Sequence, residues 1–389
     1  MQNNVTKQHY RSEFVRFLSR PPINVFQSLS QFTDHAVVLI DYDNLAQYLY
    51  SLYDGKYVYM HGLLDIAMDR QMIMLDVPQL ASLLISDIVD YIYYLRVKVK
   101  NETGLNLFPV FFSAVGISRY HVRYDEQYKA NRRLSFYKLD DPVLTYNIRL
   151  VHGAKRLAVK LMNELLLLVP NTTSIVLDRW EADFLPKVIE RFAPNSVILT
   201  LSNDSDMLQL VSDRHFVWRR LHMKKERRDV LVTNKNVHLH MFKGVNSNYA
   251  EHIQKSVPFY TLCKAIMGDP GDNVIGIKGY GPVRTVKLVS YLVDKHDLTP
   301  DVVKSDDGLR KMLRNVFNEK EVEQIIVNFK LVDYDRIADE FEKETNEVEY
   351  IHERLRNITE GANLVDALNT FDLLPSFVAK YQLYQVYKC

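Results

Sequence analysis

The sequence predicts an α/β fold, a parallel sheet with flanking helices, followed by a mostly helical C-terminal region. Segments of helical length separate the predicted strands, and this alternation is typical of a parallel sheet. After about residue 250 the pattern is helical almost throughout. Short continuous apolar runs, typical of buried parallel strands, occur at 36–40, 107–112, 174–177 and 196–201.

Three helices are predicted between these strands. The first runs from Asp76 to about Lys100, because an acid and then a proline are typical of a helix start. The second covers 155–169, and the third begins at about Glu181 with Asp178 as its N-cap. Residues 1–34 are predicted to be an N-terminal extension with one short helix.

The composition is that of an ordinary globular chain. Its 389 residues, 47% hydrophobic and 25% charged, suffice for one large domain or two smaller ones. Cys263 and Cys389 form neither a zinc-ligand pattern nor a disulfide framework. Since no signal-peptide core or membrane-spanning run is evident, we expect a reducing compartment such as the cytoplasm and no membrane partner.

The net charge of +1 conceals segregated charge. Two stretches are strongly basic, 128–133 (YKANRR) and 214–228 (RHFVWRRLHMKKERR). A basic stretch of this kind is as often a solvated surface loop as a binding surface. Because acidic motifs lie near these stretches in the sequence, we favour a role in binding a polyanion.

Four acidic motifs stand out. Taken alone, each also fits a turn or a helix N-cap. Three of the four follow predicted strands, and ligand sites in open α/β sheets lie beyond the carboxyl ends of strands. The motifs are DYDN at 41–44, EAD at 181–183, SNDSD at 202–206 and GDPGDN at 268–273.

Carboxylates gathered from these motifs would repel one another strongly without a cation. Oxygen ligands without His or Cys favour Mg²⁺, or Mn²⁺, over zinc. Two such ions about 4 Å apart can activate water and stabilise the leaving oxygen of a phosphodiester. The acidic motifs therefore indicate phosphoryl chemistry.

A glycine-rich turn follows the last acidic motif. The stretch GIKGYG at 276–281 precedes Pro282, which suits a helix start. Glycines allow close approach of the backbone to a phosphate, and a helix N-terminus attracts the anion. An ordinary hairpin between two helices is the alternative, but the neighbouring acids favour a grip on the sugar–phosphate backbone.

Together these motifs resemble the flap-endonuclease and polymerase I-type 5′-nuclease family. The matching segments are VVLIDYDNL, QYKANR, DRWEAD, LTLSNDSDMLQLV and IMGDPGDNVIGIKGYGPVRTVKLV, in the family's order. They span roughly residues 36–292. The segment NFKLVDYDRI at 328–337 and the Tyr-rich 113–132 are most similar to the bacteriophage ribonuclease H branch.

The resemblance implies roles for individual residues. Lys129 and Arg132 would be catalytic, steadying the scissile phosphate. One metal would be held by Asp41, Glu181 and Asp183, and the other by Asp204, Asp206, Asp269 and Asp272. DNA would be bound by Gly276, Lys278, Gly279, Gly281, Arg284 and Lys287, with K⁺ at that turn as in other members.

The resemblance also implies an architecture and a function. A PIN-like 5′-nuclease domain would cover 35–250, with a helical arch at about 114–154. A helical domain would cover 251–389 and carry a helix–three-turn–helix motif at 258–296. The activity would be that of a 5′-3′ exonuclease and flap endonuclease removing primers in phage DNA replication. The expected partners are DNA and RNA–DNA duplexes, with a single-strand-binding protein or sliding clamp, for a monomeric enzyme.

Two positions depart from the family pattern. Ser113 stands where the family has an acid after the second strand, and Phe184 replaces an acid of bacterial-type members. Asp43 could supply the missing carboxylate. Ser113 keeps open an alternative function, a catalytically weakened factor that binds branched DNA. An RNA-cutting, toxin-like domain would share the strand-end acids but would not need the glycine turn.

Overall fold

The computed structural model describes residues 21–42, 50–53, 56–59, 77–130, 142–169, 171–222, 227–242, 245, 256–344 and 346–356. The chain divides into two compact units that do not follow sequence order. The first unit comprises residues 1–113, 138–176 and 349–389, and the second comprises 114–137 and 177–348.

The first unit pairs its central strands in parallel. β1 and β4 are in register from His35 with Asn106 to Asp41 with Phe112, while the two short strands β2 and β3 form a separate antiparallel pair. Its elements are α1 (Ile23–Leu29), β1 (His35–Asp41), β2 (Tyr50–Tyr53), β3 (Lys56–Tyr59), α2 (Val77–Tyr93), α3 (Val99–Thr103), β4 (Asn106–Val115), α5 (Pro142–Leu165) and β5 (Thr173–Asp178), the last residues of β4 and β5 belonging to the second unit.

The first long helix has the predicted extent. α2 packs against α5 and continues through a π-helical turn, Tyr94–Lys98, into α3. Gly104 ends α3 in the left-handed conformation, with φ 75°, which suits a residue without Cβ. The short α1 is attached by Tyr94, whose hydroxyl donates to the carbonyl of Pro21 at 2.5 Å. The predicted short helix in the N-terminal segment is thus confirmed.

The second unit contains an α/β half and a helical half. β6 runs parallel to β7, and β7 pairs antiparallel with β8. The α/β half contains α4 (Arg119–Tyr124), α6 (Leu185–Phe192), β6 (Ile198–Leu201), β7 (His215–His222), β8 (Arg227–Val232) and α7 (His238–Met241). The rest comprises α8 (Val257–Met267), β9 (Gly268–Asp269), β10 (Val274–Ile275), α9 (Pro282–His296), α10 (Pro300–Lys304), α11 (Asp306–Leu313), α12 (Glu319–Val332), α13 (Tyr334–Glu344) and α14 (Glu347–Arg356), which ends in the first unit.

α8 is the buried centre of the helical half. Eight of its eleven residues are buried, as its apolar sequence VPFYTLCKAIM requires. Asn328 of α12 donates its amide to the carbonyls of Ala265 and Ile275, both at 2.8 Å. A buried amide satisfied in this way fixes α12 against α8 and β10.

The fold class is confirmed, a mostly parallel sheet with flanking helices and a helical C-terminal region. One local prediction was wrong. The helix expected at Glu181 begins at Leu185, so Asp178 ends β5 and caps no helix. The basic stretch 214–228 contains β7 and the start of β8, because alternate residues such as Phe216 and Trp218 are buried between its charges.

No helix in the described part of the chain combines the length and apolarity needed to cross a bilayer.

Candidate active site

Carboxylates from three distant acidic motifs meet in one cavity of the second unit. The side chains around them come from α4, from the end of α12 and from α13. The acids that line the cavity are Glu181, Asp183, Asp206, Asp269 and Asp272, and the other lining residues are His121, Tyr128, Phe184, Val274, Leu331, Val332, Tyr334 and Ile337.

A sharp bend after β5 carries Glu181 and Asp183 into the cavity. Arg179 has φ 58°, and its amide donates to the carbonyl of Val115 at 2.7 Å. Next to it, Trp180 is 9% exposed and packs against Phe341, with ring centroids 5.0 Å apart. The buried tryptophan fixes the bend, so the two acids that follow have defined positions.

The SNDSD motif forms a turn built by its own side chains. The amide of Asp204 donates to Ser202 Oγ at 3.1 Å, and the amide of Asp206 donates to Asp204 Oδ1 at 2.9 Å. Asp206 lines the cavity. Asp204 shapes the turn and is not among the lining side chains. Of the two ligands predicted in this motif, Asp206 thus lines the cavity and Asp204 does not.

Two arginines of the basic stretch hold the same turn from the other side. Arg219 Nη2 donates to the carbonyl of Asn203 at 3.0 Å. The amide of Arg220 donates to Asn203 Oδ1 at 2.6 Å, and its guanidinium pairs with Asp229 at 3.0 Å. Both side chains are at most 9% exposed. These arginines therefore stabilise the SNDSD turn rather than offering charge to solvent.

The GDPGDN motif forms the tight β9–β10 hairpin. Asp269 accepts from Gly271 through Oδ1 at 2.9 Å, and its carbonyl accepts from the amide of Asp272 at 3.2 Å. Gly268 has φ 74°, and a Cβ there would lie 2.3 Å from the amide nitrogen of Gly276. Glycine is required here because the strands approach too closely for any side chain.

Lys264 lies between two acids of the cavity. Its ammonium pairs with Asp206 and lies 3.3 Å from Asp269 Oδ2, and its side chain is 8% exposed. Burial raises the pKa of Asp206 to about 6; Lys264 opposes the rise, while Asp204 and Asp269 add to it. Burial alone would lower the pKa of Lys264, but Asp206 and Asp269 raise it above its ordinary value. The lysine is charged at neutral pH.

Lys129 contacts two other acids of the cavity. Its ammonium pairs with Glu181 and lies 3.6 Å from Asp272 Oδ2. Its amide donates to the carbonyl of Asp272 at 2.8 Å, and Tyr128 donates to Asp272 Oδ2 at 3.0 Å. Burial alone would lower the pKa of Lys129, but Glu181, Asp183 and Asp272 raise it. Tyr128 and Lys129 are thereby attached to the GDPGDN hairpin.

The chemistry of the site suits hard divalent cations. Five carboxylates supply only oxygen, the donor that Mg²⁺ and Mn²⁺ prefer. Within the described residues, no group of three or more Asp, Glu, His or Cys side chains converges closely enough to form a ready-made cage. Two lysine ammonium groups lie beside four of these carboxylates and compensate part of their charge.

The remaining predicted ligands belong to the first unit or lie outside the described residues. Asp41 ends β1 in the first unit and is 7% exposed. Phe112 is the residue of β4 that pairs with Asp41, and the next residue, Ser113, is 3% exposed. Asp43 and Arg132 lie outside the described residues.

The predicted DNA-binding residues fall in one segment, the turn between β10 and α9 and the first two turns of that helix. Gly279 has φ 85°, and its carbonyl accepts from Arg284 Nη1 at 3.4 Å. The Arg284 guanidinium also stacks on Tyr280, 4.3 Å from the ring centroid. Lys278, Arg284 and Lys287 are exposed. The N-terminus of α9, whose first amides have no partner within the helix, is thus flanked by the glycines and the cations. Gly276, Lys278, Gly279 and Gly281 precede it, and Arg284 and Lys287 lie in its first two turns.

The sequence reasoning missed three residues of the site. Lys264 is a lone cation in the apolar segment TLCKAIM directly before an acidic motif, and that pattern could have indicated it. Gln209 and Tyr334 carry no comparable pattern. They join the site only through tertiary contacts.

The chain was compared with known proteins. No protein-family model matches it. It is 27% identical over 187 residues to a 5′-3′ exonuclease of Mycoplasma genitalium, an alignment of 45% of this chain and 60% of that protein. The chain thus matches about three fifths of the length of this curated relative.

Solved structures share the fold. A bacteriophage T5 flap endonuclease in complex with DNA and metal ions has a TM-score of 0.55 at 16% identity, over 83% of this chain and 98% of that one. The bacteriophage T5 5′-exonuclease with bound zinc has a TM-score of 0.54 at 16% identity, over 83% and 99%. The chain therefore has the fold of the 5′-nuclease family, and the resemblance recognised in its motifs is confirmed at that level.

Proposed function

We propose that this chain is a metal-dependent 5′ nuclease that hydrolyses phosphodiesters near the 5′ ends of DNA or RNA–DNA. One observation carries the proposal: carboxylates from residues 181–183, 206 and 269–272 line a single cavity, and Lys129 pairs with one of them, Glu181. Lys129 and Lys264 compensate only part of the charge of these five half-buried carboxylates, and the remaining charge favours a bound cation.

Glu181, Asp183, Asp206, Asp269 and Asp272 would hold the metal ions. Bound divalent ions supply an activated water and stabilise the leaving oxygen. All-oxygen ligation favours Mg²⁺ or Mn²⁺, and two such ions would bring four positive charges to the five carboxylates. The T5 relative was solved with zinc, which shows that its fold admits a divalent ion. Asp41, Asp43 and Asp204 remain proposed ligands.

The protein's own groups would position the substrate. Lys129 offers a charged ammonium beside Glu181 and Asp272, where it can stabilise charge on a phosphate oxygen. The amides at the N-terminus of α9 and the exposed Lys278 and Lys287 would bind the backbone of the duplex without reading its sequence. Arg132 and a K⁺ ion at the glycine turn are proposed on the resemblance alone.

The finer assignment is primer removal during phage DNA replication. The T5 flap endonuclease was solved with DNA, and the 328–337 segment resembles the phage ribonuclease H branch. A monomeric enzyme acting with a single-strand-binding protein or sliding clamp, in a host cytoplasm, fits that role. These points rest on the resemblance.

A second function, a branched-DNA-binding factor without catalysis, is favoured by Ser113. The family's acid at this position is replaced by a hydroxyl that is 3% exposed at the end of β4. Such a protein would keep the glycine turn and lose cleavage.

The test compares 5′-flap, nicked and RNA-primed substrates carrying a labelled 5′ end, with and without Mg²⁺. We expect magnesium-dependent release of the label by the wild-type protein, and loss of release with retained DNA binding in the Asp206→Asn variant. The Asp307→Asn variant is the control, since Asp307 pairs with Arg310 on α11, is fully exposed and does not line the cavity. DNA binding without cleavage by the wild-type protein in Mg²⁺ or Mn²⁺ would support the second function.

A further inference from the structure

Two hydrogen bonds join the segment that carries Lys129 to the GDPGDN hairpin. The backbone amide of Lys129 donates to the carbonyl of Asp272 at 2.8 Å. In the opposite direction, Asn273 Nδ2 donates to the carbonyl of Gln127 at 2.8 Å. All four residues belong to the second unit. Each segment therefore fixes the other, through an asparagine to which the proposed function gives no role.

Residues 127–130 form a tight turn with Lys129 in its third position. The amide of Ala130 donates to the carbonyl of Gln127 at 2.9 Å and closes the turn. Lys129 has φ 54°, in the left-handed region. A turn with positive φ at its third residue usually has glycine or asparagine there. Lysine keeps this conformation only where the surrounding structure holds it, because its Cβ crowds the following carbonyl oxygen.

Asn273 holds the carbonyl on which this turn depends. The Gln127 oxygen accepts both the turn-closing amide of Ala130 and Nδ2 of Asn273, which occupies its two lone pairs. Asn273 has φ 62°, and asparagine is among the residues that adopt this conformation most readily. The hairpin thus presents a side-chain amide to the turn from a backbone position that suits asparagine.

The position of the turn determines where the Lys129 ammonium lies. This group pairs with Glu181 and lies 3.6 Å from Asp272 Oδ2, and both acids line the acidic cavity. The hydroxyl of Tyr128 also contacts Asp272, at 3.0 Å, but that bond holds a side chain. The Asn273 bond acts on the turn backbone from which the lysine extends. A displacement of about 1 Å at a reacting group can cost about 100-fold in rate.

We propose that Asn273 is a positioning residue: its side-chain amide braces the turn 127–130 and so places the Lys129 ammonium beside Glu181 and Asp272. The consequence for cleavage rests on the proposed function, in which Lys129 stabilises charge on the reacting phosphate. The brace itself is a property of the folded protein and does not depend on that function.

The first experiment measures hydrogen exchange of the Lys129 amide by NMR, in chelator and without DNA. The Asn273→Gly variant removes the donor and keeps a residue that readily adopts a left-handed φ. We expect the Lys129 amide to exchange about fivefold faster, as the loss of one ordinary hydrogen bond implies. The matched control is Asn171→Gly, since Asn171 has φ 55° and belongs to the first unit. It should leave exchange at Lys129 unchanged.

The second experiment measures single-turnover cleavage of a 5′-labelled flap substrate in Mg²⁺ at saturating enzyme. We expect Asn273→Gly to lower the rate about 10–100-fold with unchanged DNA affinity. In a Lys129→Met background, Asn273→Gly should cause no further loss, because the group that it positions is gone. A merely structural role would lower the rate by the same factor in both backgrounds.

The outcomes separate the brace from the proposed function. Unchanged exchange at Lys129, an unchanged cleavage rate in Asn273→Gly, or equal losses in the two backgrounds would overturn the proposal. Absence of cleavage by the wild-type protein would sink the proposed function, while the exchange measurement still decides whether Asn273 holds the turn.

Discussion

Lys264 forms an ion pair with Asp206 inside the protein, and the same ammonium lies 3.3 Å from Asp269. One lysine thus compensates two carboxylates from different acidic motifs. In chelator, we expect Lys264→Met to lower the free energy of unfolding by up to about 3 kcal/mol, because it leaves two half-buried carboxylates uncompensated. Mg²⁺ should restore more stability to the variant than it adds to the wild-type protein. Denaturant unfolding with and without Mg²⁺ measures both effects.

The control is Lys343→Met. Lys343 pairs with Glu340 at 3.1 Å, but its side chain is 68% exposed, and exposed ion pairs contribute about 0–1 kcal/mol. An equal loss of unfolding free energy in the two variants would show that the Lys264 ion pair stabilises the protein no more than an exposed pair does. If Mg²⁺ does not restore the stability of Lys264→Met, the acids paired with Lys264 do not bind the metal ion.

Lys129 is expected to act on the reacting phosphate. Its ammonium is held by Glu181 and Asp272, two proposed metal ligands. We predict that Lys129→Met lowers kcat about 10²–10³-fold, the range found when one preorganised donor is lost, with a smaller change in DNA affinity. Single-turnover cleavage at saturating enzyme measures the effect. Lys187→Met is the control, since this lysine pairs with Glu190 and Asp335 away from the cavity; a matching loss there would contradict the assignment.

The glycines of the GIKGYG turn differ sharply in what they tolerate. A Cβ at Gly276 would lie 1.9 Å from the carbonyl oxygen of Met267, whereas a Cβ at Gly281 meets no atom within 4 Å. We therefore expect Gly276→Ala to lower the Tm by several degrees and Gly281→Ala to leave it unchanged. Thermal unfolding of both variants tests this.

Binding of a 5′-flap duplex adds a second readout at Gly281. If a phosphate approaches the backbone there, Gly281→Ala weakens DNA binding while its Tm stays at the wild-type value. Unchanged affinity in a fully stable Gly281→Ala variant would remove this glycine from the proposed DNA contact.

The sequence predicted those parts of the molecule that local pattern determines. The strand ending at Asp41 and the helix beginning near Pro78 follow from apolar runs and a helix-start pattern. The bend at Arg179 was missed because a left-handed φ, held by Val115, has no local cause in DRWEAD. The β7–β8 hairpin was hidden by its charges, since alternate burial is masked when Arg219 and Arg220 are buried too.

The site was predictable to a similar degree. Strand-end acids such as Asp206 were identified because paired carboxylates in sequence indicate a cation. Lys264 and Tyr334 reach the same cavity from α8 and α13 through tertiary packing. No spacing rule connects residues 206, 264 and 334, so the charge balance of the cavity became visible only in the folded chain.

Acid should destabilise the second unit through His121. This histidine is 2% exposed, bonds Ser118 Oγ at 2.7 Å through Nδ1 and stacks on Tyr128 with centroids 4.3 Å apart. Burial lowers its pKa to about 3; the charge of Lys129 adds to this, and Asp272 opposes it. Since the unfolded histidine titrates near 6.5, the unfolded state binds more protons between about pH 6.5 and 3. The stability is therefore present above pH 6.5 and is lost as the pH falls through this window.

The His121→Gln variant should lose part of this pH dependence. Between about pH 6 and 4, one such histidine contributes a slope of about 1.4 kcal/mol per pH unit to the free energy of unfolding. We expect denaturant unfolding to show a shallower slope in the variant by roughly this amount, whatever its stability at pH 7. An unchanged slope in His121→Gln would mean that the histidine already carries a proton in the folded protein, and the stacked pair with Tyr128 would then be a cation–aromatic contact beside the acidic cavity.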